Sequence, residues 1–288
     1  MSTAFVTGAA VGQGNILVKK LAAKGYTVFA AVLPGAETDL VASDKIILVE
    51  QNVADFDSVR ASAEVVKQHL GNTPLDLVMN VAGVANIATG TIEGLPLEEL
   101  DLLFRINTFG QLAVCQTLLP LVRKAGKNGK IFNYGSGAVA GNPPTAGSYN
   151  MSKHAAHGLT MTLRLELAPW GTQVTSIWPG AVWTGMTEDS RTTTANSWNK
   201  QPDAVKEAYE PYLKHGICEA LPEMIEKRGS TPEYVCDEVI KLIDKSKLKP
   251  YYLIGKKDAE PLDFMYKWLP NSLFETIIKS SYKIPTAK

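Results

Sequence analysis

Neither sign of charge is in surplus. Lys and Arg number 29 and Asp and Glu number 29, so the formal net charge is zero. A protein that neutralises many phosphates needs a basic excess, so the balance argues against a dedicated nucleic-acid binder. Cysteine is scarce: Cys115, Cys218 and Cys236 are odd in number, far apart and without a CxxC. That argues against a disulfide framework and a thiolate zinc site, and predicts buried thiols in a reducing, cytoplasmic setting. His69, His154, His157 and His215 form no metal-spaced cluster, so no metal is expected. No apolar run reaches the length of a membrane span. The first strand begins almost at once, so no signal peptide is expected. Disorder is excluded as well, because 45% of the 288 residues are hydrophobic and that is enough to bury a full core.

What is present alternates. Ser2–Val6 reads as a strand, followed by a helix from about Gly14 to Lys24 with Ile16, Leu17, Leu21 and Ala22 on one stripe and Gly25 as its stop. Strands follow at Tyr26–Leu33, Lys45–Glu50, Leu75–Asn80, Gly129–Tyr134, Thr172–Trp178 and Pro250–Ile254. Between them lie helical stretches: one begun by Asp55 and reaching Leu70, one or two over Leu97–Lys124, and others over Gly147–Pro169 and Tyr234–Lys245. Near-continuous apolar strands joined by crossover helices imply a Rossmann-type doubly wound, mostly parallel seven-stranded sheet with helices on both faces. No repeat or linker divides the chain. The expectation is a single domain over residues 1–288, with a polar substrate-loop insertion at 185–229 and an amphipathic appendage at 260–282.

Thr7-Gly8-Ala9-Ala10-Val11-Gly12-Gln13-Gly14 follows a strand and opens a helix. Glycines at 8, 12 and 14 permit a tight turn and close approach to a pyrophosphate, while the helix N-terminus offers free N–H groups to the anion. Spaced glycines alone are a weak signal; their place in the first βαβ unit strengthens it. Asn80-Val81-Ala82-Gly83 ends the fourth strand with residues small enough to let a dinucleotide approach, although a plain strand end would look the same.

Ser136, Tyr149 and Lys153 follow with 13 residues from Ser to Tyr and four from Tyr to Lys. The i,i+4 spacing puts Tyr149 and Lys153 on one helix face. Ser136 follows the carboxyl end of the fifth strand, where open α/β sheets bind ligands. A neighbouring ammonium favours the phenolate, so such a tyrosine can pass a proton to or from a substrate oxygen while a hydride moves at carbon. Asn107, inside the preceding helix, gains its weight only from this company.

In these residues the chain resembles the short-chain dehydrogenase/reductase family, in its one-domain branch. The matching positions are Thr7-Gly8-xxx-Gly12-x-Gly14, Asn80–Gly83, Asn107, Ser136, Tyr149-xxx-Lys153 and Pro179-Gly180 followed by Thr184. A looser similarity, to the retinol and 17β-hydroxysteroid dehydrogenase subgroup, lies in Gly35-Ala36-Glu37, Leu118-Leu119-Pro120-Leu121, Tyr251–Ala259 and Trp268-Leu269-Pro270. The resemblance implies Tyr149 as acid/base, with Lys153 lowering its pKa and holding the nicotinamide ribose. It implies Ser136 orienting the substrate oxygen and Asn107 holding a water in a proton relay. It also implies a dinucleotide site of Gly8, Gly12, Gln13, Gly14, Val32, Asn52, Val53, Asn80, Ala82, Gly83, Pro179, Gly180, Val182 and Thr184. The substrate would be a carbonyl or alcohol, lipophilic by the subgroup likeness, and the protein a homodimer or homotetramer.

Four positions depart from the family pattern: Gln13 for an apolar residue, Asn52 for an aspartate, Val81 for a second asparagine, and Val32 where NAD-preferring members often carry an acid. With neither an acid nor an arginine at Ala31–Gly35, NAD(H) is favoured, because an unpaired 2′-phosphate charge costs more than a forgone ribose bond. NADP(H) stays open if Lys45 folds inward. Trp183, Met186 and Trp198, with Tyr209, Tyr212 and Leu213, could wall an apolar substrate pocket or merely pack the insertion. Phe264, Met265, Trp268, Leu269, Leu273, Phe274, Ile277 and Ile278 form an apolar face; packing on the protein itself or a partner is favoured over a membrane surface. Three functions compete: an oxidoreductase of lipophilic or small polar carbonyls, a dinucleotide-binding regulator with little turnover, and a dehydratase or epimerase. The intact Ser–Tyr–Lys set favours the first.

Overall fold

Every residue of Thr3–Val6 and Thr27–Val32 is buried, as strands covered on both faces must be. The computed structural model describes the chain except for Met1, Asn86, Ala88 and residues 184–189, 211–222, 224–225 and 285–288, together with the side chains of Ser190, Arg191, Thr193, Thr194 and Ser197. Seven strands, β1 Thr3–Val6, β2 Thr27–Val32, β3 Ile46–Glu50, β4 Leu77–Asn80, β5 Lys130–Tyr134, β6 Gln173–Pro179 and β7 Tyr251–Ile254, form one sheet. Its order is β3-β2-β1-β4-β5-β6-β7 and every pairing is parallel. The order reverses between β1 and β4, which opens a crevice beyond their carboxyl ends.

The period-two alternation of strand side chains divides the core. Ala4, Val6, Val28, Ala30, Met79 and Phe132 face one layer, with α1 (Gly12–Ala23) and α7 (Pro232–Ile243) packed on them. Phe5, Phe29, Ala31, Val78 and Ile131 face the other, beneath α2 (Phe56–Leu70), α4 (Gly110–Lys124) and α5 (Gly147–Glu166). The long stretch at 97–124 is interrupted. α3 (Leu97–Phe104) passes through a π turn, Arg105–Phe109, into α4, and that wider turn carries Asn107 and Thr108, both buried.

Within the insertion, α6 spans Ser190–Asn199 and residues 203–210 are helical. Its flanks are stitched together: Val182 bridges Ser230, Trp183 N donates to Ser230 O at 2.9 Å and Ser230 N to Ala181 O at 2.8 Å. The amphipathic appendage is two helices, α8 (Ala259–Trp268) and α9 (Asn271–Ser281). Leu269 is extended between them, as a residue before proline prefers. Leu262 of α8 packs with Trp178, whose ring stacks on Tyr251 at 4.0 Å. The outward side of this pair stays exposed at Phe264, Trp268 and Leu273. Among the described residues no helix is long and apolar enough to cross a membrane.

Asp55 caps α2 as the sequence predicts: its carboxylate accepts from Asp57 N at 2.9 Å and Ser58 N at 3.4 Å. Asp55→Ala should destabilise the protein by ~1 kcal/mol, read as a lower urea midpoint with an unchanged slope.

Candidate active site

The loops that leave the seven strands meet at the carboxyl edge of the sheet. After β1, Gly8 and Gly12 take φ of +64° and +60°, and a Cβ on Gly8 would stand 2.9 Å from Ala82 Cα. A Cβ on Gly14 would overlap the Gly8 carbonyl, so helix and strand meet only through glycine. The N-cap of α1, Val11, offers no side-chain cap, and its first turn holds no acid. Its leading N–H groups therefore remain available to an anion. Thr7, which sequence reasoning named only as part of the motif, ties two of these loops together. Its hydroxyl accepts from Val81 N at 2.9 Å and Ala82 N at 3.0 Å. Gln13, half-buried beside these glycines, keeps a buried Oε1 without a partner.

At the far side of the crevice Val32 is buried and Leu33 is 54% exposed. The following segment is pinned to the glycine loop and α1, because Thr38 Oγ1 donates to Ala10 O at 2.9 Å and Asn15 Nδ2 to Asp39 Oδ1 at 2.8 Å. Lys19 is paired with Asp39 at 2.7 Å. Lys45 precedes β3 and its Nζ reaches Gly25 O at 3.4 Å, at the amino end of the sheet. Since Ile46 pairs with Val28 and Glu50 with Val32, Lys45 lies roughly 13 Å or more from Val32 along the strands and cannot fold inward to serve it. Asn52 Oδ1 accepts from Ala54 N at 3.0 Å in a local turn. Val53 packs against Gly110, where a Cβ would be 2.9 Å from its own.

The chemical residues converge. Ser136 lies beside the Tyr149 phenol and favours its ionised form, but burial is the larger influence and raises the phenol above its ordinary value. Lys153, 3% exposed, donates to Tyr134 O at 3.1 Å and lies 5.6 Å from the centre of the Tyr149 ring. Burial brings its ammonium down to about 8. The sequence expectation has Lys153 lowering the tyrosine; in the ligand-free protein burial is the larger influence on both groups, raising the phenol and lowering the ammonium. Gly83 admits the cluster, since a Cβ there would stand 3.1 Å from Asn107 Oδ1 and 3.2 Å from Lys153 Nζ.

Three further side chains are placed by the structure. Asn80 turns inward, 1% exposed, and its amide donates to Asn133 Oδ1 at 2.8 Å and Cys115 Sγ at 3.4 Å, so its side chain braces the core instead of lining the crevice. Asn107 spends both amide hydrogens on Val84 O at 2.8 Å and Ser152 Oγ at 3.1 Å, while its Oδ1 accepts from Val84 N. Its side chain is a brace, with both amide hydrogens taken. Trp198, at 6% exposure, offers a ligand almost no surface; its ring packs with Tyr282, Tyr209 and Ile278. Trp183 is 39% exposed at the root of the insertion. Thr184, Met186, Tyr212 and Leu213 lie outside the described residues.

Pro179 O accepts from Gly137 N and Gly180 N donates to Ile254 O, both at 2.8 Å, which holds this loop across three strand ends. Asp258 is a residue the sequence marked only as part of a tail segment. Its carboxylate accepts from Ala181 N at 2.6 Å and occupies the place a Cβ on Gly180 would take.

The family model for short chain dehydrogenase matches residues 2–195. Over 288 residues the chain is 29% identical to human 17-beta-hydroxysteroid dehydrogenase type 6, covering 98% of this chain and 89% of that one. It is 32% identical over 285 residues to the uncharacterized oxidoreductase YusZ of Bacillus subtilis (strain 168), covering 96% of each. A short chain dehydrogenase from Burkholderia cenocepacia, solved in complex with NADP, superposes with a TM-score of 0.72 at 21% identity over 99% of this chain and 98% of that one.

The lysine makes a signed prediction. Its folded pKa of about 8 lies below the model-peptide 10.5, so the unfolded chain binds the extra proton between those values and stability rises with pH there. Below pH 8 the cost is complete. Relative to Lys153→Met, the ligand-free protein should gain ~3 kcal/mol from pH 8 to 10.5, measured by urea unfolding at a series of pH values.

Proposed function

The chain belongs to the short-chain dehydrogenase family, and from that premise we propose that it interconverts a secondary alcohol and a ketone with a nicotinamide dinucleotide, Tyr149 acting as acid/base. The observation that carries the reading is the convergence of Ser136, Tyr149 and Lys153, the lysine Nζ 5.6 Å from the centre of the tyrosine ring, at the sheet edge that also holds the glycine loop. The glycine cradle and the uncapped α1 fit the pyrophosphate of such a cofactor. Gly83, Pro179, Gly180 and Val182 would line its nicotinamide half. When bound, the dinucleotide supplies or accepts the hydride.

The chain's own residues handle the proton. Ser136 donates to the substrate oxygen and holds it beside the Tyr149 hydroxyl. In reduction Tyr149 gives its proton to that oxygen as negative charge develops there; in oxidation it takes the proton back. Lys153, fixed by the Tyr134 carbonyl, holds positive charge near the phenolate left behind. That charge opposes the desolvation which raises the phenol in the free protein. Asn107 keeps Val84 in place beside Gly83 and so positions the site. A bulky lipophilic substrate is supported by the similarity to the hydroxysteroid dehydrogenase and by the exposed Trp183 ring at the insertion's root.

Tyr149→Phe keeps the ring and removes the proton. It should cost ~10²–10⁴-fold in kcat on a ketone while nicotinamide fluorescence reports unchanged cofactor binding. Near-normal turnover would remove Tyr149 from this role.

The preferred cofactor is NAD. Val32 and Leu33 give a 2′-phosphate no counter-charge, Lys19 is held by Asp39, and Lys45 lies at the other end of the sheet. Comparing kcat/KM with both cofactors should favour NAD, and Val32→Asp should widen the gap. A preference of about tenfold or more for NADP, ~1.4 kcal/mol, would overturn this assignment.

A further inference from the structure

Gln201 belongs to the insertion, between α6 and the helix at 203–210, yet its side chain is 3% exposed. The amide lies against the loop that follows β4. Nε2 donates to Thr89 O at 3.4 Å, and Oε1 accepts from Thr91 Oγ1 at 3.1 Å. Gly90 and Gly94 form the walls of this seat, because a Cβ on either would overlap the amide. A primary amide presents a donor and an acceptor in fixed directions, so a buried one defines register as well as contact. Removing it leaves buried polar groups short of a partner.

The loop that receives Gln201 abuts the helix bearing Tyr149. Gly90 N donates to Thr145 O at 2.8 Å, and Gly90 bridges Ala146, the residue that caps α5. The Ile92 side chain fills the space a Cβ on Gly147 would need. Tyr149 follows two residues later. On the other side, Gln201 N donates to Trp198 O at 3.0 Å, and Trp198 packs against Tyr282. A continuous line of contacts therefore runs from the insertion to the first turn of α5.

We infer that Gln201 is a positioning residue: it seats the insertion on the loop beside the Tyr149 helix and so holds in place the wall against which the substrate binds. The inference rests on the oxidoreductase reading above. Its signature is a change in substrate handling without a change in cofactor affinity. Gly94 supplies an independent probe, since it does not have the positive φ of Gly90, and a methyl there meets the Gln201 amide and, at 3.2 Å, Pro202.

The experiment compares Gln201→Ala, Gly94→Ala and the double variant in the full chain. Three readouts are taken: the rate of tryptic cleavage within residues 184–229, cofactor Kd by nicotinamide fluorescence, and KM against kcat for a ketone. Each single variant should speed cleavage several-fold and raise KM by about tenfold, with kcat and cofactor Kd held within about twofold. The double variant should be no worse than Gln201→Ala alone, because the new methyl enters space the amide has left. Unchanged cleavage, or defects that add in the double variant, would overturn the seat. Should Gln201→Ala not fold, Gly94→Ala carries the same comparison. Expected cleavage in a protein that reduces no carbonyl in any form would overturn the oxidoreductase reading, and with it the positioning role.

Discussion

A positive charge withdrawn from water organises this site. Lys153 donates to the neutral carbonyl of Tyr134, and burial still brings its ammonium down to about 8. That carbonyl, at the end of β5, also accepts from Gln111 Nε2 at 2.9 Å, so α4 and α5 are fastened to one strand end. The π turn before α4 supplies the next fastening: Thr108 Oγ1 donates to Ser152 O at 2.9 Å, one residue from the lysine. Asn107 then joins α5 to the end of β4 through Ser152 and Val84. An ammonium is tolerated in such a place only where its surroundings are fixed, and each of these polar groups is fixed by another.

The same rigidity explains why the phosphate corner and the chemical corner form one crevice. Thr7 links the glycine loop to Val81 and Ala82, and the neighbouring Gly83 is where Asn107 and Lys153 approach the backbone. The β4 end is therefore shared: Val81 and Ala82 are tied to the glycine loop, and Gly83 lies against Asn107 and Lys153. The crossover at β1 and β4 in the sheet order puts these two parts side by side.

The sequence made legible whatever backbone geometry dictates. Buried strands, the Asp55 cap, the glycine spacing and the Tyr149–Lys153 face each follow from local rules, and the structure contains them all. Side-chain direction at strand ends and helix interruptions was not legible. Asn80 sits where a cofactor contact was expected, yet strand alternation and the neighbouring Asn133 turn its amide inward. Asn107 reads as a residue of a regular helix, whereas the π turn carries it into a hydrogen-bond network that no local pattern announces. Trp198 reads as a pocket wall because aromatic character says nothing about which neighbour claims the ring. Gln201 carries no signal at all in sequence, since its seat is made of two glycines more than a hundred residues away.

The contact between Trp198 and Tyr282 has a consequence for how the protein is made. The six strands β1 to β6 and the residues of the acid/base cluster have all been synthesised by Pro179. The ring that covers Trp198 belongs to a residue 84 positions further on than the tryptophan itself. A chain emerging from a ribosome thus leaves α1 bare until α7 has followed, and Trp198 uncovered until the last helix has been made.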